Sequence, residues 1–359
     1  MSISAAPPHL FSPLRLRGLT APNRLWVAPL CQYSAVDGFV TDWQTVHLGS
    51  FAVGRAGLII AEATAVVPEG RITPHDAGIW SDEHAAAWSR VLSFTAEQGV
   101  PVVVQLAHAG RKAAVRAPHE GTGPGPALQG GWETVAPSAV AFEPLPVPRE
   151  LTVAEIKQLQ QDFVAAALRA VKVGFAGVEL HAAHGYLLHE FLSPLTNHRT
   201  DQYGGSFANR SRFLLELTAQ VRAALPADYP LFVRLSASDW VPGGWDIAET
   251  VQLCRELEAL GVDFLDISSG GNDPHQQINI GPGYQLHFAR AVREAVQIPV
   301  GCVGLITTPQ QAQQALQDGT ADVVLAGRQF MREPSFALRA AHELGQEISW
   351  PRQYRAARR

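Results

Sequence analysis

The segment HAAHGY, residues 181 to 186, places two histidines three positions apart and a tyrosine two positions further on. If the chain turns there from a strand into a helical coil, His181 and His184 present two ring nitrogens to one substrate oxygen, with Tyr186 a step beyond. A histidine with its ordinary pKa of about 6.5 offers at least one N–H in either protonation state. Tyr186, with an ordinary pKa of about 10, is almost wholly protonated at neutral pH and is better suited to give a proton than to take one. Together the three suit polarising a carbonyl and protonating a carbanion. Two other readings stand beside this one. The histidines could be a satisfied pair at a strand end, or two ligands of a zinc site. The zinc site would need a third ligand, and the sequence offers neither HExxH nor a cysteine companion, so no metal is expected.

Other candidates sit where apolar runs end. Gly304 and Gly327 let a backbone approach an anion closely, and Arg328 can grip two phosphate oxygens at once. Glycine ends many strands, however, and Arg328 could instead pair with a surface carboxylate. Arg234, inside the run PLFVRLS, needs a partner because an unpaired buried guanidinium is costly. Either a ligand with partial negative charge or one of Glu62, Glu179 and Asp266 would serve. Cys31 and Tyr33 close the first run, Gln105 and His108 the third, and Ser268 and Ser269 the sixth. At its ordinary pKa of about 8.5, Cys31 is only a few per cent thiolate at neutral pH, and no base is evident beside it. A nucleophilic cysteine is therefore the less favoured use of that residue.

The elements that must position these groups form a regular series. Eight short, nearly continuous apolar runs appear at 24 to 29, 57 to 63, 100 to 107, 177 to 181, 230 to 236, 263 to 268, 298 to 303 and 322 to 327. Such runs suit parallel strands buried on both faces. Helix-period segments separate them: 82 to 98, 152 to 173, 212 to 224, 248 to 260, 284 to 295, 309 to 318 and 333 to 344. The clearest spans 152 to 173, where Ile156, Leu159, Phe163, Ala166 and Ala170 share a face and Thr152 with Glu155 makes a capping box. In DQYGGSFANRSRF, Gly204 and Gly205 supply a sharp turn and Ser206 a helix start, a structural rather than chemical role.

Eight βα units predict a (β/α)8 barrel, a single α/β domain over 1 to 359 with its core at about 24 to 345. The Pro- and Gly-rich stretch from Arg116 to Arg149, after the third strand, reads as a loop excursion over the site. In such barrels the site lies at the C-terminal ends of the strands, and the last two strands often bind phosphate.

The chain has 359 residues, is 47% hydrophobic and 17% charged, and carries a formal charge of −5. It can build a large core, and its charge gives no general reason to bind nucleic acid or an anionic membrane. Three cysteines, Cys31, Cys254 and Cys302, leave one unpaired in any disulfide scheme, which suggests a reducing, cytoplasmic setting. Neither an export signal nor a membrane span is visible. The expected partner is a small molecule.

Over nearly its whole length the chain resembles the Old Yellow Enzyme family of FMN ene-reductases. Within that family it is most similar to the subclass of xenobiotic reductases and thermophilic-like enzymes. The resemblance runs through LFSPLRLRGLTAPNRLWVAPLCQYSAVDG, EATAVVPEGRITP, QLAHAGRK, GWETVAPSA, ELHAAHGYLLHEFLSPLTNHRTDQYGGSFANRSRF, VGLITTPQQA and VVLAGRQFMREP. It implies non-covalent FMN across the barrel mouth, lined by Ala28, Pro29, Leu30, Cys31, Ala63 and Gln105. Arg234 would lie beside the N1/C2 carbonyl region, and Gly304, Gly327 and Arg328 at the phosphate. It further implies that His181 and His184 bind a carbonyl or nitro oxygen and that Tyr186 donates the proton. Cys31 would tune the flavin, and Tyr33 would help to bind substrate. NADH or NADPH would supply hydride, and activated alkenes would accept it. Two alternatives share the barrel: another FMN dehydrogenase, of the dihydroorotate type, and a flavin-free isomerase or aldolase. The resemblance also implies a homo-oligomer. Relatives often reach a neighbour's site with a C-terminal arginine, for which Arg355, Arg358 or Arg359 is the candidate in a tail that does not align cleanly.

Overall fold

The computed structural model describes residues 9–121 and 132–358. The expected barrel is present. Its strands are β1 (Leu25–Val27), β2 (Ile59–Ala65), β3 (Val102–Ala107), β4 (Gly177–Ala182), β5 (Leu231–Ser236), β6 (Phe264–Ser268), β7 (Val300–Cys302) and β8 (Val323–Ala326). They pair in parallel and in chain order, and β8 closes on β1. β1 is shorter than the predicted run. Beyond it the Ala28 N–H still donates to Ala326 at 3.1 Å, but Pro29 has no N–H to continue the ladder.

Alternation along the strands divides the core in two. Outward side chains such as Leu25, Val104, Leu180 and Val233 pack against the helices. Inward ones fill the barrel, where Trp26, Phe232 and Phe264 meet with ring centroids 4.8 to 6.0 Å apart. An antiparallel hairpin, Leu14–Leu16 with Leu19–Ala21, joins this inner cluster through Leu16 and Ala21. The interior is thus a packed plug, and ligand space is left at the mouth.

The helix predicted from Thr152 spans Val153–Val173. The Glu155 N–H donates to Thr152 Oγ1 at 3.2 Å, and the Thr152 N–H donates to Glu155 Oε2 at 2.8 Å. The segment 82 to 98 is instead two helices, Asp82–Ala87 and Ser89–Glu97. They are separated at the buried Trp88, whose ring packs edge-on against Phe175. The next helix, Phe207–Ala224, begins at the expected cap Ser206, ahead of the periodic segment that starts at 212.

Residues 122–131 of the loop excursion, including Gly131 of GWETVAPSA, lie outside the described residues, as does Arg359. The remainder of the excursion is anchored beside the site. Arg111 donates to the carbonyls of Val140 and Ala141, and Phe142 lies under Lys112. In the tail, Arg358 is held 2.6 Å from Glu347 and Arg355 is exposed. Among the described residues no helix is long and apolar enough to cross a membrane.

Candidate active site

The C-terminal ends of the strands enclose a cavity of about 260 Å³. Its wall brings together thirteen of the residues singled out above: Ala28, Pro29, Leu30 and Cys31 after β1, Ala63 on β2, Gln105 on β3, His181, His184 and Tyr186 from β4, Arg234 on β5, and Gly304, Gly327 and Arg328 after β7 and β8. Tyr33 is placed differently. It is not among the residues lining this cavity, and packs, as Cys31 and Tyr186 do, against a small apolar cluster of Ile72, Ala109 and Ala113.

The histidine segment does not coil as a helix. His181 lies on β4, and the chain then reverses through His184 and Gly185, with φ of 59° and 71°. The Tyr186 N–H closes this turn on the Ala183 carbonyl at 3.2 Å, and the Leu187–Leu192 helix begins directly after it. The turn is fixed from outside. The His184 N–H donates to Ser236 Oγ at 2.9 Å, and the Gly185 N–H donates to His189 Nδ1 at 2.9 Å. His189 is wholly buried, with Nε2 3.0 Å from Asp239 Oδ1. A Cβ on Gly185 would stand 2.2 Å from the Gly271 carbonyl oxygen, so only glycine allows the two loops to touch. In this arrangement the His181 ring centroid is 5.3 Å from His184 and 5.2 Å from Tyr186. His184 Nε2 lies 2.7 Å from Ser268 Oγ.

Burial sets the proton states. It lowers both histidine pKa values well below the ordinary range, and the cations Arg234 and Lys112 add to the effect, so both rings are neutral. Burial raises Tyr186 far above its ordinary value and keeps the phenol protonated. Burial, with the nearby carboxylates of Asp76 and Glu62, also pushes the Cys31 thiol up, which removes the electronic basis for a thiolate nucleophile.

Strand register selects Arg234's partner among the three carboxylates considered. Asp266 is directly opposite Arg234 on β6, and Arg234 Nε lies 3.0 Å from Asp266 Oδ2. Glu62 accepts instead from the Gln32 N–H and from Gln44, while Glu179 accepts from Gln105 at 2.8 Å. Arg234's terminal nitrogens make no hydrogen bond among the described residues although the side chain lines the cavity. Donors left free beside an apolar wall of Ala28, Pro29 and Leu30 fit a flat ring system with an electron-rich edge. Arg328 is exposed and forms no ion pair among the described residues, and Gly304 (φ 137°) and Gly327 leave backbone accessible beside it, as an anion would require. No described cluster of three or more His, Cys, Asp or Glu side chains suits a metal ion.

Several neighbours were not singled out from sequence: Lys112, Ser236, His189 with Asp239, and Gln285, which accepts from Ser269 at 2.6 Å. Each acts through loop packing that no local spacing reveals, although Lys112 lies within QLAHAGRK, one of the segments that carry the resemblance.

Comparison with known proteins matches residues 9–347 to the NADH:flavin oxidoreductase / NADH oxidase family. The chain is 45% identical to the NADPH dehydrogenase of Bacillus subtilis over 348 residues, covering 96% of this chain and 98% of that one. It is 46% identical to the NADPH dehydrogenase of Geobacillus thermodenitrificans, with 96% and 97% covered. Among solved structures, morphinone reductase in complex with tetrahydroNAD superposes with a TM-score of 0.78 at 32% identity, covering 96% of this chain and 93% of that one. The Old Yellow Enzyme homologue of Zymomonas mobilis gives the same TM-score and identity, with 96% and 94% covered. The chain belongs to the NADH:flavin oxidoreductase / NADH oxidase family and is an FMN-dependent NAD(P)H oxidoreductase of the Old Yellow Enzyme type.

Proposed function

We propose that this single-domain enzyme is an ene-reductase: it reduces the C=C bond of small alkenes activated by a carbonyl or nitro group. The observation that carries the reading is the meeting of His181, His184 and Tyr186 at one cavity wall, with both rings neutral and the phenol protonated. FMN would be held by Ala28, Pro29, Leu30, Cys31, Ala63, Gln105 and Arg234 along the ring, and by Gly304, Gly327 and Arg328 at the phosphate; when bound it supplies hydride exchange with NADH or NADPH and with the alkene.

The chain's own groups do the rest. His181 and His184 bind the activating oxygen and draw electron density from the β-carbon, which makes that carbon electrophilic. Neutral rings suit this role because they donate a hydrogen bond without giving up the proton. Tyr186 holds its proton at the phenol oxygen and delivers it to the α-carbon, a contribution typically of about 10² to 10⁴ in rate. Cys31 would lie along the ring system and tune it, and Tyr33, packed on the same apolar cluster as Cys31 and Tyr186, helps to bind substrate. The unpaired cysteines support work in a reducing cytoplasm.

The test is Tyr186→Phe with 2-cyclohexenone. The reading expects FMN content and reduction by NADPH to remain and the alkene step to slow by about two orders of magnitude or more. An unslowed alkene step would remove Tyr186 as the proton donor.

A further inference from the structure

Lys112 has no place among the cavity-lining residues, yet its half-buried ammonium is aimed at the backbone that carries them. It ends the short 3-10 turn Gly110–Lys112 after β3. Nζ donates to the His184 carbonyl at 2.8 Å and to the Gly271 carbonyl at 2.8 Å. Both acceptors have positive φ, 59° at His184 and 90° at Gly271. The two segments touch backbone to backbone, since a Cβ on Gly271 would lie 2.7 Å from the His184 Cα and carbonyl oxygen. Nζ also sits 4.9 Å from the centroid of the Tyr186 ring.

We propose that Lys112 is the positioning residue of this site: one cation joins the loops after β3, β4 and β6, and so fixes His184 against Ser268 and sets the plane of Tyr186. The inference rests on the ene-reductase reading for what the positioned groups do. Three observations select Lys112 over its neighbours. Arg111, beside it, reaches the loop after β6 at the Asn272 carbonyl, but its other guanidinium bonds go to the carbonyls of Val140 and Ala141 and not to the His184 turn. The His184–Ser268 hydrogen bond joins the same two loops that Lys112 clamps. The third is charge: facing Lys112 are Glu190, Arg111, Tyr186 and the two histidines, and its cation is one of the causes that hold both imidazoles neutral. Removing the charge therefore changes geometry and titration together, which loss of packing alone would not do.

The experiment compares wild type, Lys112→Met and Lys112→Arg as FMN-loaded full chains. Each is reduced with dithionite, so that nicotinamide plays no part, and mixed anaerobically with 2-cyclohexenone across a pH series. The expected result is unchanged FMN occupancy in all three. In Lys112→Met, reoxidation should slow on the order of 10- to 100-fold, and the acid-side fall in rate should move to higher pH because the histidines protonate more readily. Lys112→Arg should keep the wild-type acid edge and recover part of the rate. A wild-type rate in Lys112→Met, or a slowed rate with the acid edge unmoved, overturns the proposal. Should Lys112→Met not fold, Lys112→Gln is read against Lys112→Arg in the same way. If wild type itself is not reoxidised by the enone, the ene-reductase reading fails independently. Histidine titration by ¹⁵N NMR then decides the role of Lys112, with an unmoved His184 titration in the uncharged variant counting against it.

Discussion

His184 and Ser268 face each other across two loops of the barrel mouth, with Nε2 2.7 Å from Oγ. Ser268 Oγ also donates to Gln285 Oε1 at 3.3 Å, so the serine ties the orientation of the His184 ring to the loop after β6. Ser268→Ala should cost about 1 kcal/mol of stability and raise the KM for an enone by about tenfold, the equivalent of 1.4 kcal/mol. FMN occupancy should be unchanged. Steady-state kinetics with 2-cyclohexenone checks this, and an unaltered KM would deny the serine any role in orienting the ring.

Arg234 is paired with the wholly buried Asp266. Replacing the arginine with methionine leaves that carboxylate without its counter-charge, at a cost of about 3 to 5 kcal/mol. Arg234→Met should therefore lose both thermal stability and FMN affinity. Adding Asp266→Asn should restore much of the stability while leaving FMN affinity low. If the double variant recovers FMN binding as well, the arginine serves the fold and not the cofactor.

Cys31 is half-buried, and burial with nearby carboxylates holds its thiol above the ordinary range. It should alkylate with iodoacetamide more slowly than a free cysteine at pH 8, and Cys31→Ala should retain alkene reduction. Rapid alkylation, or loss of all turnover in the alanine variant, would return the residue to a nucleophilic role.

His108 is buried, and burial holds its pKa at about 4, against 6.5 in the unfolded chain. Between these values the unfolded state binds the extra proton, so stability present above pH 6.5 is lost as pH falls toward 4. The loss is of the order of 3 kcal/mol for this residue, at about 1.4 kcal/mol per pKa unit. His108→Asn keeps an acceptor for the Gly110 N–H, now 3.0 Å from Nδ1. Its melting temperature should therefore depend less steeply on pH in this range than that of wild type. A parallel dependence would place the acid sensitivity elsewhere.

The barrel was legible in sequence because strands buried on both faces are apolar almost without interruption, and the eight runs coincide with β1 to β8. Ends were less legible. Pro29 shortens β1 by removing a donor, and Trp88 divides one predicted helix by turning inward. Arg234's need for a partner was visible, but the choice of Asp266 over Glu62 and Glu179 depends on strand register. The turn at His184 differs from the expected coil because two consecutive residues adopt positive φ, which the glycine at 185 only half announces. Lys112 acts on carbonyls 72 and 159 positions away, a relation that no local spacing encodes.

The most direct test follows the absorbance of the purified FMN-loaded protein anaerobically as NADPH and then 2-cyclohexenone are added. The account predicts that the flavin bands bleach with NADPH and return with the enone, with cyclohexanone formed in equal amount. Bands that bleach with NADPH but stay bleached with the enone and with other activated alkenes would contradict ene-reduction and leave only the NAD(P)H-oxidising half of the activity.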